Sequence, residues 1–252
     1  MSHRPSPRPA RGPLRLVRGL AAALLPCSCA LCGLGSDGAV CAPCQRRHLA
    51  PAAARCRCCA NPVAAREACW PCAACQSAPP AFDATVAAAD YASPLDQLVL
   101  QLKFGGRLAL APWMGAVLGQ AVLAARLPAL PDLLCPVPLG PRRLVERGFN
   151  QALEIARPLA DTLALPLRAA LAVRARDTGA QSGVLPAERR RNVRRAFALA
   201  PDALALVRGR HIGVVDDVMT SGATLHELAA TLKRFGAARV SNFVFARTPP
   251  HR

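Results

Sequence analysis

Ile212-Gly213-Val214-Val215-Asp216-Asp217-Val218-Met219-Thr220-Ser221-Gly222-Ala223-Thr224 decides how this chain is read. A short apolar run that suits a buried strand leads into two carboxylates. A turn with three hydroxyls and a glycine follows, and then a helix begins. Unpaired N–H groups at a helix start face an anion, and the helix dipole favours it. Gly222 permits close backbone approach. Thr220, Ser221 and Thr224 add side-chain donors. Two acids beside an anion site would repel a second phosphate. They make sense as acceptors for sugar hydroxyls, or as ligands for Mg²⁺ held directly or through water. The implied ligand is a ribose 5-phosphate. The plainer alternative is a strand-end acidic pair followed by a helix cap.

Outward from this run, Gly222 to Phe235 has helical spacing, with Leu225, Leu228, Ala229 and Leu232 on one face and Gly236 as the stop. His226 is expected at its surface, and Val240 to Phe245 is a last strand. Upstream, Phe82 to Tyr91 reads as a strand. Leu95 to Leu102 reads as a helix broken by Gly105-Gly106, and Ala111 to Leu127 as a second helix. Asp132 to Val137 is an apolar strand with Cys135 in the core. Asn150 to Leu165 is a helix with Pro158 inside it and a kink expected there. Trp70 and Trp113 are expected to pack rather than to stack on bases. Strands alternating with helices predict an α/β domain with an open, mainly parallel sheet.

Eleven of the twelve cysteines lie between Cys27 and Cys75. Four knuckles stand out: Cys29-x-x-Cys32, Cys41-x-x-Cys44, Cys56-x-x-Cys59 and Cys72-x-x-Cys75. Eight thiolates fill two closed tetrahedral Zn²⁺ sites, which would be structural. Spacing does not decide the pairing; sequential ribbons are the expectation. Cys27, Cys58 and Cys69 are surplus, and Cys69 could replace Cys75. The rival is a disulfide framework in a secreted chain. The short apolar run at residues 19–25 superficially resembles a secretory signal, but it ends at Pro26 and fits a packing helix better.

The 252 residues carry 32 basic and 15 acidic side chains, a net charge of +17. Apolar residues make up 52% and aromatic ones 4%, enough for an aliphatic core and against a wholly disordered chain. No uninterrupted apolar window is long enough for a transmembrane helix. The composition divides the chain into a basic flexible arm (1–20), a double zinc ribbon (21–80) and an α/β domain (81–252), with Pro79-Pro80 at the second boundary. Residues 174–195 are rich in arginine, including Arg189, Arg190, Arg191, Arg194 and Arg195. Beside a phosphate site such a segment suits a catalytic lid or a nucleic-acid track.

The thirteen-residue run resembles the phosphoribosyl-diphosphate (PRPP) motif of type I phosphoribosyltransferases. The resemblance implies a type I phosphoribosyltransferase-like sheet. It places the 5-phosphate of Mg²⁺-bound PRPP on Val218, Met219, Thr220, Ser221, Gly222, Ala223 and Thr224, and the ribose hydroxyls on Asp216 and Asp217. It also implies a pyrophosphate loop after an early strand, placed at Arg142, Arg143 and Arg147 with Arg142 and Arg147 the preferred candidates; Lys103 faces either that pocket or solvent. The order of further pieces narrows the family. The knuckles are followed by Pro79-Pro80-Ala81-Phe82-Asp83, Leu102-Lys103-Phe104-Gly105-Gly106 and Pro136-Val137-Pro138-Leu139. Then come Arg147-Gly148-Phe149-Asn150-Gln151-Ala152, Arg190 with Asn192-Val193, and the PRPP motif. This order resembles the ComF family of competence-associated proteins. That resemblance implies a cytoplasmic role in DNA uptake during natural transformation. It also implies contact with single-stranded DNA and with competence or DNA-translocation proteins. The alternative is an active PRPP-dependent transferase with an unknown acceptor.

Overall fold

A computed structural model describes residues 27–49, 54–68, 70–175 and 196–249. The basic arm, Cys69 and residues 189, 190, 191, 194 and 195 of the arginine-rich segment lie outside these residues. The chain divides into two compact units, Met1–Arg47 and His48–Arg252. In the first, β1 (Cys27–Ser28) and β2 (Gly35–Ser36) form an antiparallel hairpin, and α1 (Ala42–His48) carries Cys44.

The second unit opens with the third and fourth cysteine knuckles. The fourth runs into α2 (Ala73–Ser77). A parallel sheet follows, built from β3 (Ala84–Asp90), β4 (Leu133–Pro136), β7 (His211–Met219) and β8 (Arg239–Arg247) in the order β3-β8-β7-β4. Between β3 and β4 run α3 (Leu95–Lys103) and α4 (Leu110–Ala124). Then come α5 (Pro141–Arg147) and α6 (Gln151–Leu163), and a small antiparallel hairpin of β5 (Ala172–Arg174) and β6 (Phe197–Leu199). A short helix, α7 (Leu204–Val207), precedes β7, and α8 (Ala223–Arg234) joins β7 to β8.

Both faces of the sheet are covered, which is why its strands are nearly continuous apolar runs. Ile212, Val214, Val240 and Val244 share one core with Leu225, Leu228, Ala229 and Leu232 of α8. The alternate residues reach the other face, where Phe245 meets Trp113 of α4 edge to face at 5.6 Å. There α4 and α6 approach closely. A Cβ on Gly115 would lie 2.3 Å from Pro158 Cγ, and one on Gly119 would lie 2.6 Å from Thr162 Cγ2. Helix α6 runs as one element through Pro158, whose ring occupies the space Gly115 leaves open.

Each sheet edge is partly covered, which shortens its open ladder. Beyond β4, Leu134 donates to Pro166 and accepts from Arg168, both at 2.8 Å. Beyond β3 lies the third knuckle: Thr85 N donates to Arg57 O at 3.1 Å, and Arg55 pairs with Asp90 at 3.0 Å. Strand β7 is longer than the predicted Ile212 to Val215. It takes in both acids, Val218 and Met219, because its ladder with β8 continues to Met219 opposite Arg247. Backbone pairing proceeds whatever the side chains are, so the motif's polar residues do not end the strand.

Candidate functional site

Asp216 and Asp217 sit near the C-terminal end of β7, 9% and 2% exposed. Asp217 has built partners. Lys103, the last residue of α3, forms an ion pair with its Oδ2. Gln151, the first residue of α6, donates to its Oδ1 at 3.2 Å. Asn150 caps that helix by accepting from Ala152 N at 3.0 Å, and donates to Val137 O, which fixes where Gln151 points. Burial alone would raise Asp217, but the charge and hydrogen bond of Lys103 outweigh it and hold the carboxyl below its ordinary value. Asp216 goes the other way. Burial first, then the adjacent Asp217 charge, push it well above the carboxylate range.

After Met219 the chain turns. Thr220 and Ser221 are exposed, and Gly222 is left-handed at φ 79° with Met219 Cε in the space of a Cβ. Only glycine adopts this conformation without strain. The twelve-residue α8 starts at Ala223, so the N–H groups of its first turn have no acceptor within the helix. Thr220, Ser221, Gly222, Ala223 and Thr224 thus form a donor-rich loop directly beyond the two carboxylates.

Beside the acids lies a cavity of about 640 Å³. Lys103, Arg143, Arg147 and Gln151 line it, with Phe104 and Phe149. Arg147 donates to Gln151 and lies over the Phe104 ring at 5.4 Å. Lys103 faces this cavity. Arg142 does not line it: its exposed guanidinium pairs at 2.8 Å with Glu146, the one acid among the lining residues. Arg143 and Arg147, four residues apart, share the inward face instead. Sequence reading ranked Arg143 behind Arg142 and Arg147, the reverse of what the structure shows for Arg142, and gave no role to Gln151. The local signal for α5 was present, Pro141 at its first position and Gly148 just past its end. His226 is exposed, as expected, but its Nδ1 accepts from Ala81 N at 3.1 Å.

The knuckles pair sequentially. Cys29, Cys32, Cys41 and Cys44 form one group and Cys56, Cys59, Cys72 and Cys75 another, each with all sulfurs within 4.8 Å. Cys32 and Cys41 sulfurs are 3.8 Å apart and Cys59 and Cys72 sulfurs 3.7 Å. That is the edge of a tetrahedron with metal–sulfur bonds of about 2.3 Å, and far beyond a disulfide of about 2.05 Å. Main-chain N–H groups are aimed at sulfur: Cys41 N at Cys29 Sγ (3.3 Å) and Cys72 N at Cys56 Sγ (3.2 Å). Burial raises both of these thiols, but the N–H donors more than offset it and bring Cys29 to about 6 and Cys56 to about 7. Burial and neighbouring thiolate charge push Cys59 and Cys75 up. A central cation relieves that repulsion, so both donor sets fit a four-thiolate metal site. Cys135 is fully buried in β4.

An open parallel sheet whose strand delivers two acids to a hydroxyl-rich turn is the fold of the type I phosphoribosyltransferases. The phosphoribosyl transferase domain family matches residues 150–251. The DNA utilization protein YhgH of Salmonella typhi is 40% identical over 182 residues, 71% of this chain and 78% of that protein. Competence protein F of Haemophilus influenzae is 31% identical over 179 residues, 70% and 78% of the two chains. The chain belongs to the ComF family. Among solved structures, glutamine PRPP amidotransferase from B. subtilis is 20% identical with a TM-score of 0.36, over 54% of this chain and 26% of that one. A purine phosphoribosyltransferase from Pyrococcus horikoshii is 19% identical with a TM-score of 0.31, over 53% and 70%. No helix among the described residues is long and apolar enough to cross a membrane.

Proposed function

We propose that this protein binds PRPP, or a related ribose 5-phosphate, with Mg²⁺, and acts in DNA uptake by handling incoming single-stranded DNA in the cytoplasm. The observation that carries the reading is the buried Asp216–Asp217 pair, set between the turn at 220–224 and a cavity lined by three cations. The 5-phosphate would accept from the turn's N–H and hydroxyl groups. The ribose hydroxyls and Mg²⁺ would be held by Asp216 and Asp217. The diphosphate end would lie against Lys103, Arg143 and Arg147. Mg²⁺ would supply charge neutralisation that lets Asp216 ionise; the chain's own residues bind and orient the ligand. Zn²⁺ in the two cysteine groups would be structural.

The DNA role is supported by the names of the relatives and by the net charge of +17. Arg189, Arg190, Arg191, Arg194 and Arg195 are the proposed DNA contacts, and competence or DNA-translocation proteins the proposed partners. Calorimetric titration of the zinc-loaded chain with PRPP and Mg²⁺ tests the ligand reading. Binding should be seen in the wild type and lost in Asp216→Asn/Asp217→Asn. No wild-type binding refutes it.

A further inference from the structure

We propose that Arg247 is a positioning residue that couples the Cys56/Cys59/Cys72/Cys75 group to the phosphate turn, so that the two sites read each other's occupancy. This rests on the turn being the 5-phosphate site. Arg247 ends β8 and is 6% exposed. Among the described residues no carboxylate pairs with it. Its guanidinium is given over to main-chain carbonyls. Nε donates to Cys59 O at 3.0 Å. NH1 donates to Met219 O at 3.0 Å, and also to Thr220 O and Thr248 O. A buried cation held by carbonyls, with the Cys59 and Cys75 sulfurs near it and no carboxylate, is costly to keep. What it accomplishes is to join three segments that are remote in sequence.

One end of the joint is the third knuckle. Cys59 closes the Cys56-x-x-Cys59 turn, in which Ala60 N donates to Cys56 O at 2.8 Å and Ala60 is left-handed at φ 57°. The other end is the start of the turn. In a planar trans peptide the N–H points away from the carbonyl. Drawing the carbonyls of Met219 and Thr220 onto the guanidinium therefore aims the N–H groups of Thr220 and Ser221 to the opposite side. Arg247 thus orients peptide planes in the anion loop, and a shift of Cys59 moves the same guanidinium. The main chain around Arg247 is itself pinned: Tyr91 N donates to Arg247 O at 2.8 Å and Thr248 N to Met219 O at 3.0 Å. A displaced knuckle is transmitted through the side chain rather than absorbed by the strand.

The test uses the full chain with ¹¹³Cd in place of zinc, whose resonance reports thiolate geometry, titrated with ribose 5-phosphate and Mg²⁺. The two resonances are assigned by Cys72→Ser. The expected result is that ligand moves the Cys56/Cys59/Cys72/Cys75 resonance and leaves the other in place. Arg247→Lys keeps the charge but cannot reach four carbonyls. It should weaken ligand binding at least about tenfold and abolish the cadmium shift, with the far-ultraviolet spectrum unchanged. Ligand binding that moves neither resonance overturns the coupling, as does wild-type affinity in Arg247→Lys. If the wild type does not bind, the ribose-phosphate reading has failed and takes this inference with it. The wild-type shift is read without the variant, so poor folding of Arg247→Lys does not remove the test.

Discussion

Replacing Lys103 by methionine should destabilise the protein in a strongly pH-dependent way. The change keeps most of the side-chain volume and removes the cation that forms an ion pair with Asp217, whose side chain is 3% exposed. A buried carboxylate stripped of its partner typically costs about 3–5 kcal/mol. Protonation sets a ceiling. Neutralising a carboxyl with an unfolded value of about 3.9 costs about 1.4 kcal/mol per pH unit, hence about 4 kcal/mol at pH 7 and about 1.5 at pH 5. Gln151 still donates to Asp217 Oδ1, so the loss should fall below the ceiling, at about 2–3 kcal/mol at pH 7. In the wild type the folded value is depressed, so the pair's contribution is present above about pH 4 and lost as pH falls through the folded value. In the variant Asp217 is raised instead, so the penalty grows as pH climbs above about 4. Urea unfolding of both proteins at pH 5 and pH 7 measures this, and loss of metal in acid affects both alike. A difference below about 0.5 kcal/mol at pH 7, or one that does not shrink at pH 5, refutes the reasoning. Adding Asp217→Asn to Lys103→Met should recover most of the loss.

Affinity for Mg²⁺ and PRPP should rise with pH, because Asp216 must lose a proton that burial and Asp217 make it keep. Titration calorimetry from pH 5.5 to 8 should show a steeper rise in the wild type than in Asp216→Asn, where only the phosphate titrates; equal slopes would count against the shift. Gly115→Ala should cost about 1–3 kcal/mol in thermal unfolding, since its Cβ would lie 2.7 Å from the Ile155 carbonyl as well as against Pro158. Elemental analysis should find two zinc per chain. Cys32→Ser and Cys72→Ser should each remove one, and Cys72→Ser, in the unit that holds the sheet, should lower the melting of that sheet.

The β7–turn–α8–β8 unit was legible because its signals are local: an apolar run, a glycine that must be left-handed, a helical stripe. The knuckles were legible for the same reason, since a thiolate pair is made within four residues. Helix α5 was missed because it buries none of its residues and so carries no apolar stripe. The β5–β6 hairpin was missed because its strands, at Ala172–Arg174 and Phe197–Leu199, are short and stand on either side of the arginine-rich segment. Lys103 ends a helix, a position that suits a lysine whether it faces a pocket or the dipole alone. Only the fold that brings Asp217 to it decides. Arg247 is the extreme case, because nothing near the chain's end shows that its side chain spans Cys59 and Thr220.

These long-range ties limit what the motif can do by itself. At the end of β7, Lys103 from α3 and Gln151 from α6 fix one carboxylate, and Arg247 from β8 fixes the turn. Without Lys103, burial would raise Asp217 as it raises Asp216. With Lys103, one member of the pair ionises more easily and raises the other by its proximity, so the pair resists a second negative charge until a cation arrives. On the proposed reading the site would favour a ligand that brings its own divalent cation, since a bare ribose phosphate offers nothing to offset the charge of an ionised Asp216. Affinity for ribose 5-phosphate should accordingly depend on Mg²⁺ in the wild type and lose that dependence in Asp216→Asn, a contrast that titration with and without Mg²⁺ reads directly. Equal Mg²⁺ dependence in both proteins would remove Asp216 from cation binding.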